Sequence, residues 1–180
     1  SNFIDGIDGL LCANMLIIFS FSSIFFSFSI YPLIGSLLGF IVLNWSPAKI
    51  FLGDVGSNFL GAYLVFIVFN TNSLNLSFNL LLIISPLFLD CTICIFKRIL
   101  DKQNIFKAHS SHLFQRLVKA GWKHSKVTIL YSFLSLVIGV SLILGGQLYE
   151  IIFSIISLIT LILIDKFYAE PFKNIEIIRK

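Results

Sequence analysis

The stretch that organises the chain is NWSPAKIFLGDVGS, residues 44–57, a polar loop set between two strongly apolar segments. It carries the cation Lys49, the carboxylate Asp54 and two glycines, Gly53 and Gly56. Glycine permits positive φ and a close approach of the backbone, and a carboxylate beside such a turn suits a metal ion with phosphate. The loop alone leaves a second interpretation open, an ordinary interhelical turn with one solvated aspartate.

The composition on either side of this loop is that of a membrane protein. Of 180 residues, 57% are hydrophobic and 12% are charged, whereas soluble domains have about 25% charged residues. The mean hydropathy is +0.96. This length holds roughly six spans of about 20 residues with short loops, so we expect one polytopic, all-α membrane domain over residues 1–180. Because the chain opens on a polar motif and not on Met, we expect it to be the C-terminal part of a longer protein.

The apolar segments predict where the chain crosses the membrane. We expect six transmembrane helices, at about residues 11–29, 33–43, 59–69, 78–96, 127–144 and 148–164. Pro86 predicts a kink in the fourth span. Gly145-Gly146 predicts a hinge between the last two spans. We interpret Asp90 as the one ionisable side chain deep in a span. It either orients a basic residue such as Arg98, orients the following loop, or is a paired interior group.

The distribution of charge predicts the orientation of this bundle. All 13 Lys and Arg residues fall on the side of the loops at about 1–10, 46–57 and 97–126 and of the tail 165–180. By the positive-inside rule that side is cytoplasmic. The formal net charge of +4 then suits anionic lipid headgroups and phosphorylated substrates. Nucleic acid is not an expected partner, because no stacking aromatics alternate with the basic residues.

A second polar motif on this side is NFIDGIDGL, residues 2–10. The spacing of Asn2, Asp5 and Asp8 places them on one face of a helical turn. Carboxylates next to a membrane span need a polar cavity, a cation or the aqueous edge. A helix N-terminus or a calcium-like loop is the alternative.

The third motif is HSSHLFQRL, residues 109–117, which is typical of a loop that enters a short amphipathic helix with Leu113, Phe114 and Leu117 on the apolar side. His109 and His112 are either structural or part of a site. Together the three motifs supply carboxylates for a divalent cation, histidines for phosphate or proton transfer, and cations for polyanions, as phosphoryl transfer requires. The chain has no Walker loop, so the substrate's own pyrophosphate bond is the expected energy source.

The three motifs, in this order and with these spans between them, resemble the polyprenyl-phosphate sugar-1-phosphate transferases. That family includes the phospho-N-acetylmuramoyl-pentapeptide transferases and the N-acetylhexosamine-1-phosphate transferases of surface-polysaccharide synthesis. The resemblance implies transfer of a sugar 1-phosphate from a UDP-sugar to an undecaprenyl-type polyprenyl phosphate, giving polyprenyl-diphosphate-sugar and UMP. It implies Mg²⁺, with Mn²⁺ as the alternative ion, and a site on the cytoplasmic face of the bacterial inner membrane.

The resemblance also implies roles for individual residues. Asp54 would bind the metal, the ring of Phe51 would stack on uracil, and Asn44 and Asn2 would bind the nucleotide. The set with catalytic roles would be Asp5, Asp8, Asp54, His109 and His112, in which the first two line the nucleotide-sugar pocket and the histidines bind pyrophosphate. Lys49 and Arg116 would add positive charge near phosphate.

The sequence departs from the family pattern in two ways. One concerns how much of a family member the chain represents, and the other concerns which sugar the donor carries. The family's adjacent carboxylate pair on an earlier loop does not occur in these residues and is expected in a preceding half. The histidine motif is closer to the O-antigen and capsule branch, which favours an N-acetylated amino-sugar donor and a role in lipopolysaccharide synthesis.

Several alternatives stay open at this point. The nearest is a phospho-MurNAc-pentapeptide transferase of peptidoglycan synthesis. From another class, a transporter fragment would use Asp90 and Pro86 to mark a substrate path, although no inverted repeat is evident. A truncated, inactive membrane scaffold is the third alternative. The oligomeric state is also open, with a homodimer as one candidate.

Overall fold

The computed structural model describes residues 6–25, 30–71, 73–104 and 110–172, and these residues form an all-α bundle. The helices are α1 (Leu10–Phe25), α2 (Tyr31–Asn44), α3 (Gly53–Phe69), α4 (Leu74–Ile83), α5 (Ser85–Leu100), α6 (Leu113–Lys119) and α7 (His124–Tyr168). No β-strand occurs within the described ranges. The predicted all-α class is therefore confirmed.

Helix α1 lies at the centre of the bundle and packs against α2, α3, α4 and α7. Its Phe19 is fully buried, as expected for a helix that is apolar on all sides. A Cβ added to Gly139 of α7 would lie 2.3 Å from the ring of Phe21, so glycine there lets α7 approach α1 closely. On the outer surface, Val42 and Phe69 remain 75% and 81% exposed. Such an apolar exterior suits contact with lipid.

Helices α4 and α5 meet at a 76° bend. Pro86 stands in the first turn of α5, where its ring cannot donate a backbone hydrogen bond to the preceding turn. The carbonyl of Ile84 accepts from the N–H groups of both Leu87 and Phe88, at 3.2 and 3.1 Å. The kink predicted near Pro86 is confirmed, and the bent pair is longer than the predicted span because it begins at Leu74 and ends at Leu100.

Helix α7 is folded back on itself at Gly146, whose φ of 71° and ψ of −168° are non-helical. A straight helix of 45 residues would be about 68 Å long at 1.5 Å per residue. Instead, the rings of Trp122 and Tyr168, at its two ends, are 5.9 Å apart. The predicted hinge between the last two spans is confirmed, because only glycine adopts this left-handed conformation without a steric penalty.

The number of membrane crossings differs from the prediction of six. Within the described residues, α7 is long and apolar enough to cross a membrane, and the bent pair α4–α5 passes the same test as a unit. Helices α1, α2 and α3 are apolar but have only 16, 14 and 17 residues. A perpendicular crossing needs about 20 residues, so six spans stay a prediction.

Helices α3 and α7 begin with a polar first turn that the sequence pattern assigns to the preceding loop. Helix α3 begins at Gly53 and not at Phe59, so Asp54 lies in a first helical turn and not in a flexible turn. An acidic side chain there interacts favourably with the helix dipole. Helix α7 begins at His124, which was expected in the loop. Both helix starts were predicted too late, because a helical first turn made of polar residues has the composition of a loop.

Asp90 is not the only carboxylate buried within the described helices. Glu150 in the second half of α7 is also completely buried. With the Asn79 amide in the orientation that satisfies both groups, its nitrogen donates to Glu150 Oε2 at 3.0 Å. The packing of α4 against α7, which the sequence pattern does not specify, brings these two side chains together.

Candidate active site

Asp8, at the entry to α1, joins two of the sequence motifs. Its Oδ2 accepts a hydrogen bond from the backbone N–H of Ala48 at 3.2 Å, which attaches the first motif to the loop before α3. Its carbonyl accepts from Thr128 Oγ1 at 2.8 Å. The predicted partners of Asp8 in this motif, Asn2 and Asp5, lie outside the described residues.

The loop between α2 and α3 is folded back and braced by Asn44. The Asn44 side chain is buried, and its Nδ2 donates to the carbonyl of Ile50 at 2.9 Å. The backbone N–H of Lys49 donates to the carbonyl of Leu43 at 2.8 Å. Asn44 was predicted to bind nucleotide, and the structure shows that its amide nitrogen holds the shape of the loop that carries the other candidate residues.

Three side chains of this loop region project from the bundle. Phe51 is 68% exposed, and Lys49 and Asp54 are exposed as well. The Phe51 ring lies three positions before the Asp54 carboxylate in the sequence, and its exposure leaves its surface accessible to a ligand. The loop thus presents a stacking surface, a cation and an anion within six residues.

Asp90 of α5 holds the N-terminus of α6. Its Oδ1 accepts from the backbone N–H of Leu113 at 2.9 Å, and its Oδ2 accepts from the backbone N–H of Phe114 at 3.3 Å and from Tyr131 Oη at 2.8 Å. Of the three roles considered for Asp90, the structure supports the one in which it orients the segment that follows α5. A carboxylate stabilises a helix N-terminus through its unpaired N–H groups and its dipole.

His112 immediately precedes α6 and is buried. Its ring stacks on Phe114 with centroids 5.0 Å apart, and its backbone N–H donates to Gln115 Oε1 at 3.3 Å. The predicted amphipathic helix is confirmed as α6, with Leu113, Phe114 and Leu117 buried. His109 lies outside the described residues.

Helix α6 lies against the first motif, which completes the convergence of the three motifs. A Cβ added to Gly6 would be 3.0 Å from Gln115 Nε2. Asp8 contacts the Asp54 loop through Ala48. The described parts of all three motifs therefore meet at one end of the bundle, as the predicted topology requires.

Arg116 of α6 is buried and pairs with Asp165 near the end of α7. Its Nη1 donates to the carbonyl of Glu170 at 2.7 Å. Lys97 of α5 binds the other Asp165 oxygen at 2.8 Å, and the ring of Phe172 lies 5.6–5.7 Å from both cations. Two cations share one carboxylate, so this cluster keeps one formal positive charge.

The Arg116 cluster forms one end of a cavity of about 240 Å³. Asp90 and Ser111 also line the cavity, and most of its other lining side chains are apolar residues of α5 and the second half of α7, among them Leu89, Ile93, Leu158 and Ile162. An apolar cleft with charged groups at one end can accommodate an amphipathic molecule.

Comparison with known proteins places this arrangement in a family. The family described as "Glycosyl transferase family 4" matches residues 1–72, which include Asp8 and the whole Asp54 loop. The chain belongs to glycosyl transferase family 4. No solved structure matches this family 4 chain.

Relatives extend the similarity of this family 4 chain beyond residue 72. A Bacillus subtilis protein named "Probable undecaprenyl-phosphate N-acetylglucosaminyl 1-phosphate transferase" is 34% identical over 79% of the chain and 43% of its own length. Phospho-N-acetylmuramoyl-pentapeptide-transferases of Fervidobacterium nodosum and Carboxydothermus hydrogenoformans are 37% and 30% identical, over 78% and 76% of the chain and 47% and 44% of their own lengths. The chain spans less than half the length of these relatives.

The family 4 chain contributes one carboxylate as a candidate metal ligand. Within the described ranges, no three His, Cys, Asp or Glu side chains are grouped to hold a metal ion. Magnesium is commonly bound by one or two carboxylates together with substrate phosphates and water. The exposed Asp54 fits that mode of binding and does not require a complete protein cage.

No role was predicted from the sequence for His124, which lies at this end of the family 4 chain. His124 Nδ1 lies 3.3 Å from Asp8 Oδ1, although 116 positions separate the two residues. No local pattern signals a contact over that separation. Only the packing of α1 against α7 reveals it.

Proposed function

We propose that the protein transfers a sugar 1-phosphate from a UDP-sugar to polyprenyl phosphate, with an N-acetylated amino sugar as the donor group. The observation that carries the proposal is the hydrogen bond from Ala48 to Asp8. In a chain of glycosyl transferase family 4, it joins the aspartate motif to the loop that presents Phe51 and Asp54. The three exposed side chains of that loop, Lys49, Phe51 and Asp54, would together bind the nucleotide-sugar.

The proposed reaction conserves all atoms of its substrates. A phosphate oxygen of the lipid attacks the β-phosphorus of the UDP-sugar. The bond from that phosphorus to the bridging oxygen of the α-phosphate breaks, and UMP leaves with the bonding electrons. Both substrates are anions, so positioning and electrostatic stabilisation supply most of the catalysis. No ATP is consumed, because one pyrophosphate bond replaces another.

In this proposal, different residues bind different parts of the UDP-sugar donor. Phe51 stacks on uracil, Asn44 and Asn2 contact the nucleotide, and Asp5 and Asp8 line the sugar-nucleotide pocket. His109 and His112 bind pyrophosphate, and Lys49 and Arg116 add charge near it. Mg²⁺, or alternatively Mn²⁺, on Asp54 would neutralise the charge that develops on the pyrophosphate oxygens.

The acceptor lipid belongs at the cavity between α5 and α7. Its apolar wall suits an isoprenoid chain, and the positive charge left on the Arg116 cluster suits the terminal phosphate. The cluster lies at the end of the bundle where the basic residues collect. By the positive-inside rule this end faces the bacterial cytoplasm, where nucleotide sugars are available.

The names of several relatives support a second candidate donor substrate, UDP-MurNAc-pentapeptide. Several relatives are named phospho-N-acetylmuramoyl-pentapeptide-transferases, and one of them is 37% identical to this chain. The candidate product is then a lipid-linked muramoyl pentapeptide of peptidoglycan synthesis instead of a precursor of surface polysaccharide.

One experiment tests the function and separates the donors. Bacterial membranes containing the complete gene product receive polyprenyl phosphate, Mg²⁺, labelled UMP and one UDP-sugar at a time. We expect label to enter the UDP-sugar when the donor is UDP-N-acetylglucosamine or a related N-acetylated sugar. Exchange with UDP-MurNAc-pentapeptide alone supports the second donor, and no exchange with any donor contradicts the proposal.

A further inference from the structure

His124 and Thr128, in the first two turns of α7, contact every polar group of Asp8 except one carboxylate oxygen. Besides the contact of His124 Nδ1 with Asp8 Oδ1 at 3.3 Å, the backbone N–H of Asp8 points to the same Nδ1 at 3.4 Å. One turn further, Thr128 Oγ1 donates to the Asp8 carbonyl at 2.8 Å. The remaining oxygen, Oδ2, accepts from the N–H of Ala48. The Asp8 carboxylate is thus held from two sides, by an imidazole and by the loop.

The two contacts of His124 Nδ1 are alternatives, because one ring nitrogen cannot donate and accept at the same time. With a proton on Nδ1, the imidazolium forms an ion pair with Asp8 Oδ1. Without it, Nδ1 accepts from the Asp8 N–H. In either state the imidazole stays against Asp8, so the contact fixes the orientation of the carboxylate and does not depend on one tautomer.

The surrounding backbone is shaped for this contact. Gly9, next to Asp8, has a φ of +74°, and a Cβ there would lie 3.4 Å from Trp45 Cε3 and 3.6 Å from Thr128 Cγ2. The positive φ favours glycine at this position, and the ordinary van der Waals distances to Trp45 and Thr128 show that three segments adjoin there: the entry of α1, the loop after α2 and the start of α7. The His124 side chain is 36% exposed while that of Asp8 is 16% exposed, so the imidazole lies on the solvent side of the carboxylate.

We propose that His124 is a positioning residue of the transferase site. It holds the Asp8 carboxylate in the orientation that the Ala48 hydrogen bond also requires, and so couples α7 to the loop bearing Phe51 and Asp54. The inference rests on the proposed function and adds to it a residue from outside the three motifs. A misplacement of a catalytic group by about 1 Å can lower a rate by about 100-fold. His124 prevents such a misplacement of the Asp8 carboxylate.

The test uses side chains that replace one ring nitrogen at a time. Asparagine places its amide nitrogen close to the position of Nδ1, whereas glutamine places it close to that of Nε2. In the complete gene product we expect His124→Ala and His124→Gln to lower kcat of the exchange reaction by about 10- to 100-fold, with KM for the UDP-sugar changed less than about 3-fold. We expect His124→Asn to recover most of the lost kcat.

Two comparisons separate positioning from a general effect on folding. Ser125 is half-buried on the same turn, and no hydrogen bond joins it to Asp8, so Ser125→Ala should keep kcat and serves as the matched control. In a double-mutant cycle with Asp8→Ala, which removes the carboxylate, adding His124→Ala should cost almost nothing further, because the group that His124 positions is already absent.

The outcomes are distinct for the two proposals. An inactive wild-type protein overturns the proposed function and the inference with it. If the wild type is active, equal activity of His124→Ala and wild type overturns the inference alone. Additive losses in the cycle, or equal recovery by asparagine and glutamine, also contradict positioning through Nδ1.

Discussion

Asp90 of α5 caps a helix other than its own, since its Oδ1 accepts a hydrogen bond from the backbone N–H of Leu113 at 2.9 Å. The carboxylate also binds Phe114 and Tyr131. It therefore fixes the start of α6, and with it the position of His112, from within the bundle.

Replacing Asp90 by alanine should destabilise the protein strongly. The change leaves two backbone N–H groups and one hydroxyl buried without their acceptor, which we expect to cost about 2–4 kcal/mol of the free energy of unfolding. Thermal denaturation in detergent measures the loss. Tyr131→Phe removes only one of the three bonds and should cost about 1 kcal/mol. Equal stability of Asp90→Ala and wild type would show that the cap contributes nothing.

Asp54→Asn should reduce UMP exchange by at least about 100-fold, because the amide cannot replace the charge of the carboxylate in binding a divalent cation. Exchange rates measured across a range of Mg²⁺ concentrations test this. Asp101→Asn is the matched control, since Asp101 is exposed at the end of α5 and has no place in the proposed site. Full activity of the Asp54 variant would contradict its role as a metal ligand.

Phe51→Ala should weaken nucleotide binding and leave lipid binding nearly unchanged. Stacking of a base on an aromatic ring contributes about 1–3 kcal/mol, which corresponds to a rise of about 5- to 150-fold in the dissociation constant of UMP. Isothermal titration with UMP measures it. Phe69→Ala removes a ring that is also largely exposed, at the far end of α3 from the loop, and should have no effect. A similar loss of affinity for polyprenyl phosphate in the Phe51 variant would argue against uracil stacking.

Gly146→Ala should destabilise the fold-back of α7. An alanine with the φ of 71° and ψ of −168° of this position is disfavoured by about 1–3 kcal/mol, although space for the methyl group is available. The control is Gly39→Ala in α2, where nothing lies within 4 Å of the added carbon and a helical alanine should be neutral or stabilising by about 0.5–1 kcal/mol. Thermal denaturation of the two variants in parallel distinguishes them. A Gly146 variant as stable as wild type would mean that the turn tolerates a side chain.

The features of the fold that could be predicted from the sequence are those that one or two residues impose on their own backbone. Pro86 predicts the bend between α4 and α5, and Gly145-Gly146 predicts the reversal of α7. The apolar spacing of Leu113, Phe114 and Leu117 predicts α6. Boundaries with polar first turns, at Gly53 and His124, were predicted too late, because a solvated helical turn and a loop have similar compositions.

The candidate site was predictable only as a set of motifs on one side of the bundle. The positive-inside pattern and the three motifs identify Asp8, Asp54 and His112 as members of one region. They do not identify the contacts among them. Asn44 was assigned to the nucleotide, yet its amide nitrogen braces the loop. His124 was left out, yet it contacts Asp8.

The sequence alone determined the all-α class, the bend, the reversal and the gathering of polar segments, because backbone restrictions and the cost of burying charge in an apolar medium act locally along the chain. Only the tertiary structure decided which polar group meets which. Asp90 binds Leu113 and not Arg98, and Asp8 binds both Ala48 and His124. Such pairings depend on the rotation and approach of whole helices, which packing across the entire bundle determines.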